Sequence, residues 1–275
     1  LKQACCLHLE KNGLSGLPNM LKLSKRLEMI AKQVPAGSTI ADIGSDHALL
    51  PSFLALQGRI TKGIAGEVNP GPFQAASKQI RESRLGEIVD VRLGDGLAVI
   101  AAGEVEVITI AGMGGALIAS ILENGSEKLA GIKRLVLQPN VGEYNVRSWL
   151  LENGWLLTEE FILEEDGKIY EILVAVFSEE AAIDNEALYQ PRILDGELTA
   201  DRELLLKMGP YLMQNPSNVW FQKWEFELSK LDMIRRQLAL SDSPESRTKE
   251  QELEQEMKRI KEVMACLQKD KTSSK

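Results

Sequence analysis

Cysteine and histidine are both scarce in this chain. The cysteines are Cys5, Cys6 and Cys266 and the histidines His8 and His47, which suits neither a disulfide framework nor the spaced ligands of a zinc site. No protein-bound metal is expected, and a reducing, cytosolic setting fits best. Also missing is any apolar run near the roughly 20 residues that a membrane-spanning helix needs. Positive charge is in deficit: 32 Lys and Arg stand against 40 Asp and Glu, a formal net charge of -8 over 275 residues. The chain as a whole is no polyanion trap, so any nucleic-acid contact needs a local basic patch. Residues 1–19 lack both helical or strand periodicity and a signal peptide's apolar core. They are expected to be an extension or a mis-assigned start, with Met20 the natural beginning.

What remains is an ordinary globular composition, 44% hydrophobic and 26% charged. Its central stretch is TIADIGSDHALLP, Thr39 to Pro51. An apolar-biased strand breaks at Gly44 into a polar turn, and a helix follows with Pro51 in its first turn. A strand, a glycine turn and a helix start form the usual nucleotide-binding corner of open α/β sheets, with backbone amides facing an anionic group. Asp46 and Ala48 stand where a dinucleotide fingerprint has its later glycines. A single nucleoside is therefore expected rather than a pyrophosphate-bearing cofactor.

The pattern then repeats. Leu23, Leu27, Ile30, Ala31 and Val34 mark a first helix with Ser24 as N-cap. Further strands are expected at Ile60 to Ala65, Val89 to Leu93, Val105 to Ala111 and Leu135 to Leu137, each followed by a helix or glycine turn. Trp155 to Leu163 and Ile169 to Phe177 make a closing hairpin. Such alternation predicts an α/β fold: a mostly parallel, Rossmann-like seven-stranded sheet with a terminal antiparallel hairpin, the class I methyltransferase pattern. Around Ser178 to Asn185 the composition turns acidic and small, an expected boundary between a domain over 20–180 and an all-helical one over 181–275. In the second part Glu186 to Leu194 and Thr199 to Met208 suit short helices. Two long patterns follow, one striped by Trp220, Trp224, Leu228, Leu231 and Leu238, the other by Leu253, Met257, Ile260, Met264 and Leu267. They predict an antiparallel coiled-coil arm, with Trp220 and Trp224 read as seam packing rather than base-stacking residues.

In open sheets ligands bind beyond the carboxyl ends of the strands. Asp42-Ile43-Gly44, Glu67, Asp95-Gly96, Ala111-Gly112-Met113 and Gln138-Pro139-Asn140 should therefore converge. Glu67, 25 residues after Asp42, is placed to accept both hydroxyls of a ribose, and Asp95 to accept from an adenine amino group. Lys22, Lys25 and Arg26 on the first helix form either a solvated face or a phosphate-contacting ridge.

From LSKRL (Leu23 to Leu27) through DIGSDHALLP, AGE, GDGL, IAGMGG and LQPN to GKIYEI, the chain resembles the bacterial tRNA (adenine-22)-N1-methyltransferase family. The resemblance implies methyl transfer from S-adenosylmethionine to N1 of an adenine in the tRNA D arm. It implies cofactor contacts at Asp42, Gly44, Glu67, Val68, Asp95, Gly96, Ala111, Gly112 and Met113. Asp46, His47, Gln138 and Asn140 would line the side where the base enters. Asp46 is the expected acceptor by analogy with an aspartate in other N1-adenine methyltransferases; its alternative role is to cap the following helix. The Asn- or Asp-led diproline signature of amino-methyltransferases is absent after the fourth strand, where IAGMGG stands instead. Beyond Lys22, Lys25 and Arg26, RNA contacts are expected from Lys223, Lys230, Arg235 and Arg236, in a cytoplasmic protein more readily monomeric than dimeric. Competing readings are a methyltransferase for another RNA base or a small molecule, and a non-catalytic tRNA-binding protein with a vestigial pocket.

Overall fold

A computed structural model describes residues 21–179, 181–195 and 198–273; the expected extension at 1–19 lies outside them. Ser24 caps α1 (Lys25–Gln33) by accepting from Leu27 N, and the chain then enters β1 (Ser38–Ile43). Next come α2 (Leu49–Leu56), β2 (Ile60–Glu67), α3 (Pro70–Glu82), β3 (Val89–Leu93), β4 (Val107–Gly114) and α4 (Gly115–Asn124). The sheet is completed by β5 (Arg134–Val141), α5 (Glu143–Glu152), β6 (Trp155–Glu165) and β7 (Lys168–Phe177). Its seven strands lie in the order β3-β2-β1-β4-β5-β7-β6. The first five pair in parallel, and β7 is antiparallel to both β5 and β6. Asp166 and Gly167 turn the hairpin with φ of +52° and +72°, the mirror-image turn that suits strand twist.

Side chains alternate across the sheet, as the two-residue period of a strand requires. Ile108, Ile110, Leu135 and Leu137 face one apolar layer, whereas Val107 and Val136 face the other with Ile40 and Ala65. All are buried, and truncating one of the large ones to alanine costs about 2–5 kcal/mol.

Beyond the sheet stand α6 (Ala181–Leu188), β8 (Arg192–Asp195), β9 (Leu198–Ala200), α7 (Arg202–Met208), α8 (Asn218–Leu238) and α9 (Pro244–Ser273). One expectation is corrected here. The second part is not all helical, because Arg192–Asp195 and Leu198–Ala200 pair as a small antiparallel hairpin where a helix had been expected. Strands of four and three residues are too short to show a period. At the expected boundary, 178–185, α6 begins, and Asn185 Nδ2 donates to Trp155 O at 2.8 Å. One apolar layer runs on from Leu135 and Trp149 through Leu205 and Trp220 to Ile260 and Val263.

The long helices α8 and α9 pack on each other through Leu228, Leu231, Ile260, Met264 and Leu267. Trp220 is fully buried at the arm's base, with its Nε1 donating to Met208 O at 3.0 Å, and Trp224 lies beside it. Both tryptophans plug the arm into the body. A buried ionic network completes the joint. Arg147 of α5 donates to Glu160 Oε1 (2.6 Å) and Glu171 Oε2 (2.5 Å), and Lys223 of α8 donates to Glu171 Oε1 and Glu143 Oε1, both at 2.6 Å. Burial alone would push the Glu171 carboxyl up, but Lys223 and Arg147 outweigh it and hold it below the ordinary range. Lys223 is thereby removed from the expected RNA contacts, since two carboxylates already hold it inside the joint.

Candidate active site

Five turns meet at the carboxyl edge of the parallel strands. After β1, Gly44 (φ +69°) turns the chain away, and a Cβ there would lie 2.2 Å from Met113 Cε. Gly44 N and Ser45 N both donate to Gly66 O, at 2.9 and 3.1 Å. This corrects the expectation that these amides face an anionic ligand: they are spent on locking the turn to β2.

Asp46, His47 and Ala48 follow with φ of +46°, +65° and +58°. Left-handed conformations cost L-residues roughly 1–2 kcal/mol each, and a run of them persists only where the surroundings over-determine it. Here Ala48 is fully buried and His47 N donates to Glu67 Oε1 at 3.3 Å. The side chains of Asp46 and His47 stay 74% and 53% exposed, and His47 Nε2 is 3.7 Å from Asp46 Oδ1. Asp46 does not cap α2; the cap position is Ala48, and no side chain bonds there.

Asp42 has the opposite surroundings. It is buried, and Ser45 Oγ and Thr109 Oγ1 donate to its two oxygens at 2.6 and 2.5 Å. Burial pushes its carboxyl up despite those two bonds and the nearby Arg26. Expected as a ligand contact, Asp42 instead ties β1 to β4 and to the turn, with both oxygens taken. Ser45 and Thr109 were not singled out in the sequence; their only signal was a hydroxyl within or beside an apolar strand.

Glu67 ends β2 almost buried, and burial raises its carboxyl above the ordinary value. Its Oε1 takes the His47 amide, whereas Oε2 accepts no hydrogen bond among the described residues. Val68, next in sequence, is exposed. Gly94 N donates to Glu67 O at 2.9 Å, which brings exposed Asp95 and Gly96 (φ +52°) alongside. Gly44, Glu67 and Asp95 therefore share one rim.

The rim's other half comes from β4 and β5, whose pairing slips between Ala111 and Met113. Gly112 (φ +78°) is the bulged residue. Gln138 Oε1 accepts from Gly112 N at 3.1 Å, and Asn140 Nδ2 donates to Gly112 O at 2.8 Å. Gln138 is fully buried, and its Nε2 donates to Pro139 O and Asn140 Oδ1. Gln138 thus supports the bulge rather than lining the base's entry, whereas Asn140 is exposed on the rim. Among the described residues no group of three or more His, Cys, Asp or Glu side chains is arranged to hold a metal.

Of the basic residues, Arg26 turns inward: its Nη1 donates to Gln138 Oε1 at 2.6 Å and its guanidinium lies 5.5 Å from the centre of the Tyr170 ring. Glu165 at the hairpin turn accepts from Lys25 N and Arg26 N, fixing the start of α1 against the sheet. Lys22 and Lys25 are exposed. Lys230 pairs with Glu227, Arg235 with Asp232 and Glu250, and Arg236 with Asp232. Glu165 and Tyr170 were not picked out as site residues, although GKIYEI contains the tyrosine; nothing local announces that a hairpin will fold back onto the first helix.

An open sheet in this strand order, with a glycine turn after β1 and acids ending β2 and following β3, defines the class I methyltransferase architecture. The family described as TrmK, tRNA (adenine(22)-N(1))-methyltransferase, matches residues 40–262. The chain belongs to that family. The tRNA (adenine(22)-N(1))-methyltransferase of Bacillus subtilis (strain 168) is 44% identical over 247 residues, 90% of this chain and 98% of that protein. The crystal structure of the B. subtilis M1A22 tRNA methyltransferase TrmK superposes with a TM-score of 0.79, covering 88% of this chain and 99% of that one. Streptococcus pneumoniae Sp1610, in complex with S-adenosyl-L-methionine, is 40% identical with a TM-score of 0.72, covering 88% and 99%.

Proposed function

We propose that this protein transfers a methyl group from S-adenosylmethionine to N1 of adenine 22 in the D arm of tRNA. The observation that carries the reading is one rim, in a chain of this family, that gathers Glu67, Asp95, the Gly112 bulge and the exposed Asp46 and Asn140.

The residues present suit the cofactor. Glu67 Oε2 has acceptor capacity for a ribose hydroxyl, Asp95 is open to an amino group, and Gly44 and Gly96 keep side chains off the floor. Val68, Ala111, Gly112 and Met113 would form the walls. When bound, S-adenosylmethionine supplies an electrophilic methyl on a sulfonium. The protein's own work is alignment and exclusion of water. Adenine N1 attacks with its own lone pair, and the adenine gains a positive charge. Asp46 stabilises that charge and accepts a proton from N6; His47, 3.7 Å away, orients it. The base must leave its stack to reach the rim, at a cost of a few kcal/mol.

Recognition of tRNA then rests on shape and phosphates. Beside Asn140 opens a groove of about 1010 Å³ lined by Tyr144, Tyr170, Phe226 and Lys230, where the flanking nucleotides would lie. Lys22 and Lys25 on one side and Lys230, Arg235 and Arg236 on the arm are the proposed phosphate contacts. We take residues 20–180 as the catalytic unit and 181–275 as the appended tRNA-holding unit. The α8–α9 seam closes within one chain, which supports a monomer, and among the described residues no helix is long and apolar enough to cross a membrane. We place the reaction in the cytoplasm, with its tRNA. Incubation with labelled cofactor and bulk tRNA, followed by mapping of the modified nucleotide, tests the reading: label at another position, or none, overturns it.

A further inference from the structure

Gly112 falls between the paired residues Ala111 and Met113, where the register of β4 on β5 shifts. Side chains of β5 reach both of its backbone groups, Gln138 accepting from the N–H and Asn140 donating to the C=O. Every hydrogen-bonding position of the Gln138 amide is used: its oxygen accepts twice and its nitrogen donates twice. A buried amide of this kind holds the bulge in place only while its oxygen, not its nitrogen, points at Gly112.

The Gly112 N–H and the Pro139 C=O already favour that orientation, and a further constraint comes from outside β5. Arg26 Nη1 donates to the same Gln138 oxygen at 2.6 Å, and a guanidinium can only donate, so the flipped amide would set donor against donor. Arg26 is itself held at two points. The backbone amides of Lys25 and Arg26 lie on the Glu165 carboxylate at 2.6 and 3.1 Å, and the guanidinium sits over the Tyr170 ring. We propose that Arg26 is a positioning residue of the methyl-transfer site: it acts through Gln138 to set the Gly112 bulge, and it does not contact tRNA phosphate. The inference rests on the proposed function for its catalytic consequence, but the geometric part stands without it.

Three measurements on the full chain separate the possibilities. Amide exchange by NMR should show Gly112 losing at least tenfold in protection in Arg26→Ala, with the β4 core amides of Ile108 and Ile110 unchanged. In single-turnover assays on tRNA, Arg26→Ala should lower the methyl-transfer rate on the order of 100-fold, the scale of a misplaced wall, while the slope of log affinity for tRNA against log salt stays as in the wild type. Arg26→Lys, which keeps a donor and the charge but loses the planar fork, should fall between the two. In a Gln138→Leu background the Arg26→Ala change should have no further effect on rate. The proposal is overturned if Gly112 exchange is unchanged. It is equally overturned if the salt slope drops by roughly 0.7–0.9, the mark of one lost phosphate contact, with the transfer rate intact. If the wild type transfers no methyl to tRNA, the functional reading fails, and the exchange measurement still decides the role of Arg26.

Discussion

The molecule buries carboxylates in two places and treats them differently. At the rim of the sheet, Asp42 is held by two hydroxyls and Glu67 by one backbone amide, and burial keeps both carboxyls above the ordinary range. At the joint with the arm, Glu160 and Glu171 are met by Arg147 and Lys223: the two cations on Glu171 hold it below that range, whereas burial keeps Glu160, which has Arg147 alone, above it. Neutral donors do not offset burial, nor does a single cation; two cations on one carboxylate do. The rim is built to receive a ligand, and the joint to stay shut.

Four variants can break or sharpen this contrast. The largest effect is expected at Asp46, where Ala should cut methyl transfer to tRNA by about 10²–10⁴-fold, the range of a lost acid–base group. Cofactor binding by calorimetry should be preserved; full turnover would remove Asp46 from the mechanism. At the joint, Arg147→Met leaves Glu160 and Glu171 buried without their shared cation and should cost about 3–5 kcal/mol. A denaturation midpoint that does not move would mean that the network contributes little.

A smaller effect is expected at Glu67→Gln, which should weaken the cofactor by about 10–100-fold, the loss of a hydrogen bond to a charged group. The same residue carries a pH signature. Binding needs the ionised carboxylate, and the folded pKa lies above the ordinary glutamate value of 4.5. Cofactor affinity should therefore fall with decreasing pH from a point above that value, and the fall should vanish in the glutamine variant. Glu171 behaves in the opposite sense. Its depressed pKa lends stability that is present above the ordinary carboxylate range and is lost as pH falls through the lower folded value. Smallest of all, Lys22→Glu with Lys25→Glu should reduce the salt slope of tRNA binding by roughly 0.7–0.9 per phosphate contact; an unchanged slope excludes that face.

Much of the sheet was legible beforehand, because strand and helix periods are local. Val89–Leu93 begins and ends where its alternation does, and Ser24 caps the helix it precedes. The rim was legible as a set of strand ends, but the jobs within it were not. Asp42 and Gln138 looked like ligand contacts, and both have their polar atoms consumed by Ser45, Thr109, Gly112, Asn140 and Arg26. Lys223 looked like a surface cation on a long helix. Nothing nearby in sequence indicates that Glu143, 80 residues away, will meet it. Glu171 did carry a signal: an acid followed by ILVAV belongs on a strand with no water on either face.

Periodicity, glycine turns and the acids that end strands were enough to determine an α/β sheet, a helical arm and the edge at which a nucleoside binds, because each depends on neighbours within a few residues. Which of those polar groups is left open to a ligand was decided only by tertiary structure. A hydrogen bond between distant segments uses up a donor or acceptor, and no stretch of sequence records which partner folding will bring.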